Sequence, residues 1–148
     1  KNDLMGPGVT AADVLRATDC VVPCFEIVDS RIQDWKIKIQ DTVADNASCG
    51  VFVLGDQLVD IADLDLALAG MVLEKNGEIV VTGAGAATMA HPVNAMVWLA
   101  NMLGSLGIAL KAGDIVLSGA MGAMVPVARG DNLRMTIGGI GGCSVRFV

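Results

Sequence analysis

Apolar positions change period several times along the 148 residues, and each period predicts an element. Thr10-Ala-Ala-Asp13 offers an N-cap hydroxyl with an acid at the third helical position, opening a short helix to about Thr18. Val21–Val28 is an apolar run interrupted by Glu26, with Pro23 near its start, and predicts a strand at an edge or bulge. Alternation along it places Cys24, Glu26 and Val28 on one face and Phe25 and Ile27 on the other. Trp35-Lys-Ile-Lys-Ile39 alternates cleanly and predicts a half-buried strand with Lys36 and Lys38 on its wet face. Gly50–Leu54 predicts a short strand closed by Gly55-Asp56.

Residues 56–65, with Asp56, Asp60, Asp63 and Asp65, lack the order of a calcium loop and predict a solvated surface stretch. Leu66–Leu73 and Glu78–Val81 flank Asn76-Gly77, a strong short-range hairpin signal. Val93, Met96, Val97, Ala100, Leu103 and Leu106 recur at helical spacing, so one long helix starts at Pro92 and ends at Gly107. Its methionines and Trp98 are expected in the core or at a subunit interface. The last third predicts strands at Asp114–Ser118, Val125–Val127, Asn132–Ile137 and Cys143–Val148, with Arg129-Gly130-Asp131 as a tight turn. The sum is an α+β, β-rich fold in one domain over residues 1–148, a mixed sheet or roll covered by one long helix.

Composition narrows the function classes. Hydrophobic residues make up 53% and charged residues 18%, so additional surface buried against other subunits, a homo-oligomer, is expected. No run reaches the ~20 apolar residues of a membrane helix, and no signal peptide is visible, so no membrane partner is expected. A net charge of −6 without a basic cluster argues against nucleic acid. Cys20, Cys24, Cys49 and Cys143 show no Cys-x-x-Cys spacing and predict reduced thiols in a cytoplasmic protein. Gly83–Ala90 lacks the Gly-Lys-Ser/Thr of a phosphate loop and the dinucleotide spacing, and predicts a crossover into the long helix. His91, the single histidine, suits a cap or a packing role better than a base.

Candidate chemistry concentrates in residues 23–50. A carboxylate inside an apolar strand either sits at a rim facing water or is held by a partner, because burying it alone costs several kcal/mol. Glu26 is therefore either an edge residue or a metal ligand or acid–base group. Asp41, Asp45, Asn46 and Ser48, closed by Cys49-Gly50, suit a short helix or Asx-turn. The same hydroxyl and backbone N–H groups also suit a substrate carboxylate, and residue types alone leave both open.

The stretch EIVDSRIQDWKIKIQDTVADNASCG closely resembles the 2-hydroxypenta-2,4-dienoate (2-oxopent-4-enoate) hydratases of the fumarylacetoacetate hydrolase superfamily. GPGVTAADVL, EKNGEIVVTGAGA, HPVNAMVWLANMLGSLG, LKAGDIVLSGA and GGIGGCSVRF extend the resemblance over essentially the whole chain. Met89-Ala90-His91-Pro92 stands where the related hydratases have Leu-Gly-His-Pro. The resemblance implies a Mg²⁺ or Mn²⁺ cofactor and addition of water to a small 2-hydroxy dienoic acid, giving 4-hydroxy-2-oxopentanoate. It implies that Glu26 is a metal ligand, that Ser48 and the Cys49 backbone hold substrate, and that Arg31 and Asp45 support them. The two other carboxylate ligands, and the acid–base residues, are expected upstream of residue 1, so the 148 residues alone are expected to be inactive. The sister 4-oxalocrotonate decarboxylases share the outline. They are the alternative reading and a possible complex partner, with a non-catalytic truncated subunit as a third.

Overall fold

Asn76 and Gly77 both carry positive φ (55° and 89°), the combination a type I′ turn needs, and they join strands β3 (Gly70–Lys75) and β4 (Glu78–Ala84). This hairpin is one half of a four-stranded antiparallel sheet in the order β4-β3-β5-β6, where β5 is Asn132–Ile137 and β6 is Gly141–Arg146. Preceding it are helix α1 (Ala11–Ala17), strand β1 (Cys24–Val28), helix α2 (Ile39–Ala44) and strand β2 (Cys49–Leu54); helix α3 (Pro92–Ser105) lies between β4 and β5. β1 and β2 form a separate antiparallel ribbon. The computed structural model describes residues 1–62 and 64–148; Asp63 of the acidic stretch lies outside the described residues.

Alternation along β5 decides where the core sits. Leu133, Met135 and Ile137 are buried while Asn132, Arg134 and Thr136 are exposed. Met71, Leu73 and Cys143 join the buried face, and Val14 of α1 and Val93 of α3 pack against it. Each such aliphatic side chain contributes roughly 1.5–3 kcal/mol when removed from water. The helix ends follow local chemistry. Thr10 and Asp13 make the expected reciprocal cap on α1, and His91 Nδ1 accepts from Val93 N at 3.1 Å, the capping role expected of it. Met96 packs on the core, but Trp98 and Met102 lie on the exposed side of α3, 54% and 46% accessible. No helix among the described residues is long and apolar enough to cross a membrane.

Three expected strands do not form. Trp35 ends a 3-10 turn (Gln33–Trp35) and Ile39 opens α2, because the Asp41 carboxylate accepts from Lys38 N at 2.9 Å and caps the helix there. Trp35 and Ile39 are then 47% and 71% exposed, so the apolar side of the alternation meets water. Residues 114–118 and 125–127 carry no ladder. Between them the chain is held by side chains: Thr88 Oγ1 donates to Gly119 O and Ala120 O (3.4 and 3.3 Å), and Met121 and Val125 pack on the core. An apolar run secures neither burial nor a neighbouring strand by itself: Ile115 is 58% and Val127 37% exposed.

Candidate functional site

The β1–β2 ribbon carries Glu26 on its open face. Phe25 and Val53, paired in register, pack toward the core, and the next pair, Glu26 with Phe52, points the opposite way. Glu26 is exposed at the rim of the ribbon. Burial pushes the neighbouring Cys24 thiol up, and Cys143 and Glu26 add to it, so Cys24 stays a neutral thiol. Gly50 lets the strands close, since a Cβ there would lie 2.5 Å from Ile27 O.

Between Ile27 and Val28 the register slips, and just beyond it one guanidinium joins the adjacent ends of the two strands. Arg31 Nη1 donates to Asp29 O and Cys49 O (2.9 and 2.8 Å), Nη2 to Asp45 O (2.6 Å), and Nε to the Asp45 carboxylate. The planar fork of arginine suits this divided task, which a lysine point charge does not. The second Asp45 oxygen accepts from Arg31 N (3.2 Å), Ser48 Oγ (3.0 Å) and Ser30 Oγ (3.4 Å). Burial pushes the Asp45 carboxyl up, but its bonds to the Arg31 N–H, the guanidinium and Ser48 outweigh this and hold its pKa below the ordinary carboxylate value. Asp45 is a fixed anion that organises donors around itself.

Inside this frame Asn46, Ala47 and Ser48 all adopt left-handed backbone, with φ of 53°, 58° and 55°. Their turn closes through Ser48 N to Asp45 O and Cys49 N to Asn46 O. Ser48 is 3% exposed and its hydroxyl proton goes to Asp45, leaving the oxygen as an acceptor. The structure thus brings Arg31, Asp45, Ser48 and Cys49 into one network. Glu26 stands along the same ribbon, and among the described residues no bond joins it to Arg31, which holds the loop instead. Asp29 and Ser30 belong to the network too, and only their place beside Arg31 in the sequence hinted at it. Phe52, opposite Glu26, has no signal in the sequence beyond an apolar strand.

A divalent cation needs hard oxygen donors, and Mg²⁺ typically takes one or two carboxylates and fills the rest with water or substrate. Glu26 fits one such position. Among the described residues no three His, Cys, Asp or Glu come together.

The chain belongs to the fumarylacetoacetate (FAA) hydrolase C-terminal family, whose profile it matches over residues 5–148. It is 60% identical over 147 residues to a 2-hydroxyhexa-2,4-dienoate hydratase of Comamonas testosteroni, covering 99% of this chain and 56% of that protein. Over 109 residues it is 71% identical to a 2-hydroxypent-2,4-dienoate hydratase of Pseudomonas putida, covering 74% and 49% respectively. Among solved structures, 4-oxalocrotonate decarboxylase from Pseudomonas putida G7, complexed with magnesium and adipate, superposes with a TM-score of 0.95 at 42% identity, over 100% of this chain and 56% of that one. The chain spans about half the length of the curated relatives it matches.

Proposed function

We propose that these residues form one catalytic-type domain of a divalent-metal-dependent hydratase. It would add water to 2-hydroxypenta-2,4-dienoate and give 4-hydroxy-2-oxopentanoate. The observation that carries this reading is Glu26, exposed on the open face of a ribbon whose other end holds Ser48 and Cys49, in a chain 60–71% identical to dienoate hydratases. The hydratase relatives exceed the decarboxylase in identity, which ranks the decarboxylase second even though its fold superposes closely.

A bound Mg²⁺ or Mn²⁺ would supply positive charge where the 2-oxygen gains negative charge as the dienol becomes an enone. Glu26 is the carboxylate that this chain would offer to it. The Ser48–Cys49 turn would lie beside the acid's polar end, and Asp45 and Arg31 keep that turn in place. A homo-oligomer, association with a decarboxylase partner and a cytoplasmic setting belong to the same reading. The test is a Mg²⁺-dependent assay on the intact gene product, following loss of the dienoate chromophore. Glu26→Gln should reduce turnover at least a hundredfold; full activity in that variant would remove Glu26 from the mechanism. Release of CO₂ from an oxalocrotonate-type diacid without hydration of the dienoate would favour the decarboxylase.

A further inference from the structure

We infer that Phe52 is the wall along which the acid's unsaturated tail lies, and that it sets which tail lengths the site accepts; the inference rests on the hydratase reading and deepens it. Glu26 and Phe52 are direct partners in the β1–β2 register, so their side chains leave the same face as neighbours, with Cβ atoms ~4.5–5.5 Å apart. The adjacent pair, Phe25 and Val53, supplies the ribbon's packing against the core. Phe52 takes no part in that packing: it is 48% exposed on the face turned away. Leu54 follows on the same face, 37% exposed and opposite Cys24. The open face therefore runs from the Ser48–Cys49 turn, past the Glu26 carboxylate and the Phe52 ring, to Leu54.

A conjugated 2-hydroxy or 2-oxo acid has matching parts in the same order. Its carboxylate and 2-oxygen need donors and charge, and its flat carbon tail needs an apolar surface. An aromatic ring presents such a surface to a planar chain and is already fixed by two side-chain torsions. With the polar head held between the Cys49 turn and Glu26, the tail crosses Phe52, and each further carbon extends toward Leu54, ~6.6 Å along the strand.

The test separates head from tail. Binding of pyruvate, 2-oxobutanoate, 2-oxopentanoate and 2-oxohexanoate to the intact gene product with Mg²⁺ is measured by calorimetry. In the unaltered protein affinity should rise about threefold or more for each added CH₂, as expected for carbons laid on an apolar surface. Phe52→Ala should cut that increment below about twofold while pyruvate affinity stays within twofold; Phe52→Leu should keep most of it. An undiminished increment in Phe52→Ala, or an equal loss of pyruvate binding in both variants, overturns the inference. Turnover of 2-hydroxypenta-2,4-dienoate by the unaltered protein is a separate readout. Its absence defeats the hydratase reading, whereas the tail-length increment judges Phe52 by itself.

Discussion

Replacing Ala47 by glycine should make the protein more stable and its site worse. Ala47 is exposed and holds φ 58° and ψ 26° in the middle of the left-handed turn between Asp45 and Ser48. For an L-residue that conformation costs roughly 1–2 kcal/mol, and alanine has no polar group with which to offset it. Glycine removes that cost but enlarges the unfolded ensemble, which returns about 0.4–1 kcal/mol. The net expectation for Ala47→Gly is a gain of roughly 0.5–1 kcal/mol in unfolding free energy. Urea denaturation followed by the fluorescence of Trp35 and Trp98 measures it.

The second half of the prediction concerns binding. On the hydratase reading this turn lies beside the acid's polar end, and its strain persists because Asp45 and Arg31 hold both ends. A glycine there samples other conformations before substrate arrives, so about 1 kcal/mol of ordering is charged to binding, roughly a fivefold loss in affinity for a 2-oxo acid. Ala47→Val is the contrast: a β-branched residue is poorly tolerated at positive φ, and both stability and affinity should fall. A destabilisation of 1 kcal/mol or more in Ala47→Gly would refute the reasoning, since it would mean that the turn is not left-handed in solution.

Two further outcomes follow from the hydrogen bonds. Arg31→Lys keeps the charge but cannot reach Asp29 O, Cys49 O and the Asp45 carboxylate together, so 2-oxo acid affinity should drop at least tenfold with the far-ultraviolet dichroism unchanged; a change within twofold would show that the brace is dispensable. Asp131 accepts from Lys75 Nζ, Asn76 Nδ2 and Ala128 N, and these lower its pKa to about 2. The folded value lies below the unfolded one, so its contribution is complete above about pH 4 and is lost as pH falls toward about 2. Asp131→Asn should flatten that acid limb in a stability-versus-pH series, and an unchanged limb would assign it to other carboxylates.

Elements that bury a periodic face were legible from residue types. The α1 cap at Thr10–Asp13, the Asn76-Gly77 hairpin, helix α3 and strand β5 each combine a pattern with a local stop or start signal. The failures share one cause. Trp35–Ile39 has the alternation of a strand, but one carboxylate, Asp41, satisfies the Lys38 N–H locally and turns the chain into a helix. Residues 114–118 and 125–127 are apolar enough for strands, yet ladder pairing is a property of the neighbour as much as of the segment, and Thr88 serves there instead. Glu26, Asp45 and Ser48 stood out because polar types crowd an apolar chain, whereas Arg31 and the Cys49 backbone were singled out only by the family resemblance. What none of them disclosed was the left-handed run at 46–48, since Ala47 and Ser48 carry no signal for positive φ.

That division has a physical origin. The four-stranded sheet is specified by burial, a non-directional force that a period of two or 3.6 can encode. The ribbon site is specified by direction. One guanidinium and one carboxylate, joined to backbone oxygens and hydroxyls, hold three residues where their intrinsic preferences would not put them. Such an arrangement draws on polar residues, Arg31 and Asn46 exposed and Ser48 buried, and in sequence it resembles any solvated loop. A site for a small anionic acid would use a carboxylate that faces water here, Glu26, beside a turn fixed from behind by bonds that the ligand never touches.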